Sequence, residues 1–215
     1  MKSFLIIGMG KFGHHMCYNL AALGNEIMAV DEIDEKVEDV VDIVTSAKIG
    51  DCTKIDVLES FGVNNFDACI VCISDNFQSS LEITYNLSEL GAKKVISLAS
   101  TDIHAKFLLR NGANHVIYPE RDMAGRLAVS ISNDSIFDYI KISDEYSIME
   151  ITPQKSWLGK NIIQANIRAK HHINVLAVKD DAGNVNMPGA EYIFNDADHV
   201  IVMGRQDDIN KLFKR

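Results

Sequence analysis

The feature that most constrains this chain is its opening, where the apolar run Phe4–Ile7 passes directly into Gly8-Met9-Gly10-Lys11-Phe12-Gly13. A G-x-G-x-x-G run between a strand and a helix admits few folds. The first glycine permits a tight turn, the second lets a pyrophosphate reach the backbone, and the third lets helix and strand pack closely. Exposed N–H groups and the helix dipole then stabilise a phosphate without any basic side chain. Asp31 ends the next apolar run, at the separation where such folds place an acid for the ribose. Its carboxylate would accept bonds from ribose hydroxyls and repel a 2′-phosphate, favouring NAD, ATP or ADP over NADP. The plainer reading is a strand-end polar residue, or a cap for a helix after Asp34. Glu32 falls beside it. Gly50-Asp51-Cys52-Thr53 and Ser74-Asp75-Asn76 follow the third and fourth runs on the same sheet edge. Asp51, Cys52, Thr53, Ser74 and Asp75 are therefore candidate ligand contacts, although Asp51 could equally cap a helix beginning near Thr53.

Apolar runs at Phe4–Ile7, Ile27–Val30, Ala47–Ile49, Cys69–Ile73, Val95–Ala99 and His115–Ile117 alternate with segments of helical spacing. Several of those segments stop at a glycine, a common helix end. The alternation predicts an α/β, Rossmann-like doubly wound parallel sheet over residues 1–120. Met123, Leu127, Ala128 and Ile131 share one face of a helix over Asp122–Ser132, so 121–135 reads as a crossover helix. With no Gly/Ser-rich linker beside it, that helix is expected to pack on something. Over 136–215 the pattern changes. Tyr139–Ile142, Ile148–Ile151, Asn174–Val178 and His199–Met203 suit strands, while Leu158–Arg168 and Ile209–Phe213 suit helices, giving a small α+β C-lobe.

Composition narrows the function classes. With 21 basic against 30 acidic side chains the net charge is −9, which argues against nucleic acid or an anionic membrane surface as the main partner. No apolar run approaches the roughly 18–20 residues that cross a bilayer, and Met1-Lys2-Ser3 leads straight into the first strand without a signal layout. A cytoplasmic location without direct membrane insertion is expected. Cys69-Ile-Val-Cys72 spells C-x-x-C, but residues three apart in a strand point to opposite faces, so the pair is expected to be buried core thiols.

"IIGMGKFG", "AVD", "GDCT", "GANHVIYPERDMAGRLA" and a module opening near "SDEYSIMEI" together resemble an RCK (KTN) protein, a regulator of Trk/Ktr-type potassium transport. The resemblance covers essentially the whole chain and is strongest to the Ktr-type regulator, with "WLGKNI" similar to an element of RCK C-lobes. It implies an N-lobe homodimer assembling into an octameric ring, ATP, ADP or NAD(H) in the glycine-rich site, and a membrane-embedded ion-translocating partner. It implies peripheral association with the inner face of the membrane through that partner. Lys11 stands where close relatives carry an arginine reaching the nucleotide across the dimer; lysine keeps the charge and loses the planar fork. Glu120 matches an acid that holds a divalent cation, Mg²⁺ or Ca²⁺, near the phosphates. Leu98-Ala99 replaces a dipeptide that often carries a basic residue. In the C-lobe, Ile162, Ile163, Arg168, Asn174 and Pro188 match positions that bind cyclic di-AMP in Firmicute-type members.

The rival reading is an NAD-dependent oxidoreductase, or an NAD(H)-sensing regulator unrelated to transport. An oxidoreductase needs an acid or base set against the nicotinamide. None of the six tyrosines has a lysine four residues on, and the adjacent histidines His14-His15 and His171-His172 do not make a shared metal site on a helix. No DNA-reading helix-turn-helix is evident. A non-enzymatic role is expected.

Overall fold

β1 (Ser3–Ile7), β2 (Glu26–Asp31), β3 (Ser46–Ile49), β4 (Ala68–Val71), β5 (Val95–Leu98) and β6 (His115–Ile117) form a parallel sheet in the computed structural model, which describes residues 1–213. Their order, β3-β2-β1-β4-β5-β6, is the doubly wound one, with the direction of winding reversing between β1 and β4. Helices α1 (Lys11–Ala22), α2 (Asp34–Glu38), α3 (Ile55–Phe61), α4 (Phe77–Glu89) and α5 (Asp102–Arg110) make the crossovers. They cover both faces, which is why the strands read as unbroken apolar runs. Leu5, Ile7, Cys69 and Val71 pack into one core cluster, while Ile6, Ile70 and Cys72 pack into the cluster on the other face. Cys69 and Cys72 thus point apart as their spacing predicts, and all four cysteines are free and buried.

The chain divides into two compact units, Met1–Glu120 and the part from Arg121 onward. The second unit holds β7 (Ile136–Lys141), β8 (Tyr146–Ile151), α7 (Ile162–Ala165), α8 (Ile167–His171), β9 (Ile173–Lys179), β10 (Val185–Asn186), β11 (His199–Arg205) and α9 (Gln206–Lys211). Its antiparallel sheet runs β10-β9-β11-β8-β7. Met149, Ile151, Val200 and Val202 alternate onto one face and bury Trp157 and Phe194. Lys214 and Arg215, inside the expected C-lobe, lie outside the described residues.

Three expectations need correction. The connecting helix, α6, runs Pro119–Ile131 and starts earlier than the apolar spacing suggests, because proline is tolerated in a first turn where no intrahelical N–H bond is needed. Val129 of α6 packs against the core of the second unit, while Met123, Leu127 and Ile131 are exposed. The expected helix over Leu158–Arg168 is two short ones. Asn161 opens α7 with a capping box to Gln164, and Asn166 breaks the run in the left-handed conformation at φ 49°. Asparagine tolerates that conformation better than most residues. The short strand β10 was not expected at all.

Candidate functional site

The glycine loop is shaped by close contacts at two glycines and by space at the third. Gly8 has φ +95°, and a Cβ there would stand 2.8 Å from Ile73 Cγ1. A Cβ on Gly13 would lie 2.0 Å from the Gly8 carbonyl oxygen, so α1 rests directly on the end of β1. A Cβ on Gly10 would meet nothing within 4 Å. That open space lies at the N-terminus of α1, where Gly10 is the N-cap, no side chain caps the helix and no acid occupies the first turn. An uncapped helix start of twelve residues with room beside it suits an anion.

Asp31 is 8% exposed and braces this loop. Its Oδ2 accepts from the Met9 amide at 2.7 Å and its Oδ1 from the Ile33 amide at 3.0 Å. Lys36 Nζ stands 4.0 Å from Oδ2. The helix-cap alternative fails, because α2 is entered from Ile33 without a side-chain cap. Each carboxylate oxygen keeps a further lone pair for a ribose hydroxyl. Asp51 closes a tight turn instead of capping a helix at Thr53, since α3 begins only at Ile55. Its Oδ1 accepts from the Thr53 hydroxyl at 2.6 Å and the Thr53 amide at 3.0 Å, and these bonds hold its carboxyl below the usual carboxylate range. Asn76 caps α4 by accepting from the Ser79 amide at 3.1 Å, leaving Ser74 and Asp75 facing the groove.

The strand ends enclose one groove in two parts sharing Gly8, Asp31, Lys36, Ile73 and Asp75. The narrower part, about 230 Å³, is walled by Glu32, Asp51, Cys52 and Thr53. The wider part, about 600 Å³, is walled by Gly10, Lys11, Phe12, Ser74 and Glu120. It lies outside the carboxyl ends of the strands at the winding reversal, where open α/β sheets bind ligands. Two of the candidates do not reach it with a side chain: Met9 turns into the core, and Gly13 serves the helix–strand contact. Glu120 is exposed, and the described residues contain no group of three His, Cys, Asp or Glu able to hold a metal ion. Leu98 contributes an apolar wall to the wider part. Asn76 lines the groove while also capping its helix, and Lys36 and His15 line it without having been singled out, because a lysine in an acidic run and one of two adjacent histidines carry no distinguishing pattern.

In the second unit, a separate depression of about 360 Å³ brings Ile162, Ile163, Arg168, Asn174 and Pro188 together. The break at Asn166 allows this: α7 presents the isoleucines, α8 carries Arg168, and a second left-handed residue, His172, turns the chain into β9 and Asn174.

The TrkA-N domain matches residues 4–119 and the TrkA-C domain residues 146–215. Ktr system potassium uptake protein C of Bacillus subtilis (strain 168) is 38% identical over 214 residues, which span 100% of this chain and 97% of that protein. Ktr system potassium uptake protein A of the same organism is 37% identical over 210 residues, spanning 98% and 95%. Among solved structures, the GsuK channel bound to NAD superposes with a TM-score of 0.71 at 19% identity, over 98% of this chain but 38% of that one. That last likeness shows the shared fold.

Proposed function

The chain belongs to the family built from TrkA-N and TrkA-C domains, and from that premise we propose that it is a cytoplasmic regulatory subunit of a potassium uptake system, controlled by a nucleotide. The observation that carries the nucleotide reading is the uncapped start of α1, open at Gly10 and faced by the braced carboxylate of Asp31. The first-turn amides of α1 would hold phosphate oxygens, Asp31 the ribose hydroxyls, and Asp51, Cys52 and Thr53 the far end of the nucleotide. ATP, ADP or NAD(H) meets these demands; a 2′-phosphate would face Asp31 and Glu32. Lys11 projects from the first turn and would reach a phosphate of the neighbouring subunit's nucleotide. Glu120 would supply one oxygen ligand to Mg²⁺ or Ca²⁺. Such a hard cation takes at least six oxygens, so phosphate oxygens, waters or a partner's carboxylate must complete the shell.

In this reading the chain acts as a homodimer within an octameric ring, docked at the inner face of the membrane on an ion-translocating subunit of Ktr or Trk type. Nucleotides regulate it only if they differ in affinity for two shapes of the ring. In the C-lobe depression, Ile162, Ile163 and Pro188 would take the bases of cyclic di-AMP and Arg168 and Asn174 its phosphates. Two copies across a two-fold axis would suit that two-fold-symmetric ligand. No catalytic acid–base pair is assigned, and the bound nucleotide is read as a signal.

Calorimetry of the full chain with ATP, ADP, NAD⁺, NADH and NADPH, beside potassium uptake by the co-expressed membrane subunit, tests this. Binding of a nucleotide without a 2′-phosphate that changes uptake is expected. Binding of NADPH alone, or turnover of NADH with a panel of carbonyl compounds, would overturn it.

A further inference from the structure

Three sulfur-bearing residues belong to the buried cluster that includes the glycine loop's Met9. Met9 comes from the loop, Cys17 from α1 and Cys72 from the end of β4, and all three belong to one buried cluster. The Cys17 thiol points at Met9 Sδ across 3.7 Å. Cys72 completes the group. Its Cβ lies 3.4 Å from where a Cβ on Gly13 would stand, and Cys17 follows Gly13 by one turn on the same face of α1. The three residues are 5%, 0% and 6% exposed respectively. Cys72 also lines the wider part of the groove, which gives the cluster an approach from solvent.

We propose that Met9 Sδ, Cys17 Sγ and Cys72 Sγ form a binding site for a soft monovalent cation, Cu(I) or its analogue Ag(I). Two thiolates and a thioether are the donors that select such ions, whereas Mg²⁺ and Ca²⁺ require oxygen ligands that this cluster lacks. Zinc is disfavoured because its structural sites take four ligands, and no histidine or carboxylate belongs to the cluster. Two sulfurs bonded at about 2.3 Å in a trigonal shell stand about 4 Å apart. The 3.7 Å between Cys17 and Met9 is therefore close to a ready-made edge of such a shell. Each ligating thiol releases one proton to solvent, so two thiols and one M⁺ yield a bis-thiolate complex of charge −1 and two protons. Affinity then rises with pH. Burial pushes the Cys17 thiol up to about 11 and raises Cys72 further, with the neighbouring Cys17 adding to it. A thiol held protonated in this way must give up its proton to the incoming ion, so capture competes with protonation and is favoured by rising pH. The site is distinct from the nucleotide groove but joined to it, because the Met9 amide donates to Asp31.

The test is anaerobic titration of the full chain with Cu(I) against bicinchoninate. One Cu(I) per chain is expected, with a sulfur-to-copper charge-transfer band. That ion should be lost in Cys17→Ser and in Cys72→Ser, held at least tenfold more weakly in Met9→Leu, and retained in Cys52→Ser and Cys69→Ser. Failure of the wild type to take up Cu(I), or unchanged retention in any of the first three variants, overturns the site. Should a thiol variant not fold, X-ray absorption of the loaded wild type decides by itself. Three sulfur neighbours are expected; nitrogen or oxygen neighbours, or two sulfurs alone, refute it.

Discussion

Replacing Gly10 and Gly13 in turn with alanine separates the part of the loop that holds the fold from the part that meets a ligand. In Gly10→Ala the added methyl finds no heavy atom within 4 Å, and the backbone at φ −65° is one any residue adopts. Stability should stay within about 0.5 kcal/mol of wild type. The methyl nevertheless enters the space beside the first-turn amides of α1 and holds a phosphate away from them. A tenfold loss of affinity for ADP, or about 1.4 kcal/mol, is the least expected. In Gly13→Ala the methyl would stand 2.0 Å from the Gly8 oxygen, so α1 must retreat and carry the buried Cys17 with it. Overpacking of this kind costs about 1–3 kcal/mol and sometimes more. Urea unfolding followed by far-ultraviolet circular dichroism measures the first quantity, and calorimetry with ADP the second. A folded Gly10→Ala that binds ADP as the wild type does would refute the phosphate cradle. A Gly13→Ala with the wild-type urea midpoint would refute the tight helix–strand contact.

Asp31→Ala leaves the Met9 amide without its acceptor in a residue 5% exposed, so a loss of about 1–3 kcal/mol in urea unfolding is expected, together with new binding of NADPH. His104 is fully buried, lies tilted against Phe77 with ring centroids 4.7 Å apart, and is held below its ordinary 6.5 by burial. The unfolded chain therefore takes up its proton first: this contribution to stability is complete above pH 6.5 and is lost as pH falls from there towards the lower folded value. His104→Phe should flatten the fall in stability just below pH 6.5, and an unchanged slope in pH-dependent urea midpoints would contradict this. Arg168→Ala should abolish binding of cyclic di-AMP, read by calorimetry, while leaving ADP affinity unaltered. The lone tryptophan, Trp157, is 1% exposed in the C-lobe core, so its fluorescence should shift to the red only when that unit unfolds.

Wherever a segment's structure follows from its own periodicity, the sequence is a sufficient guide. The glycine run, the apolar strands, the glycine stops and Asp31 are local signals with local causes, and the sheet they predict is the one that forms. The C-lobe candidates show a mixed case: the motif names the five residues, but an unbroken helix over Leu158–Arg168 would not have grouped them. The left-handed turns at Asn166 and His172 do so, and asparagine and histidine only permit such turns.

By itself the sequence determined the fold class, because a glycine loop at a strand end is a backbone requirement written in residue type. Tertiary structure alone decided what lies behind that loop. C-x-x-C spacing draws the eye to Cys69 and Cys72, yet those thiols face opposite sides of the sheet. Strand order instead gathers Cys72 with Cys17 and Met9, residues far apart along the chain. It also sets Lys36 against Asp31 and Glu120 in the same groove as Lys11. Periodicity records which way a residue points within its own element; which residues meet it there depends on how separate elements pack.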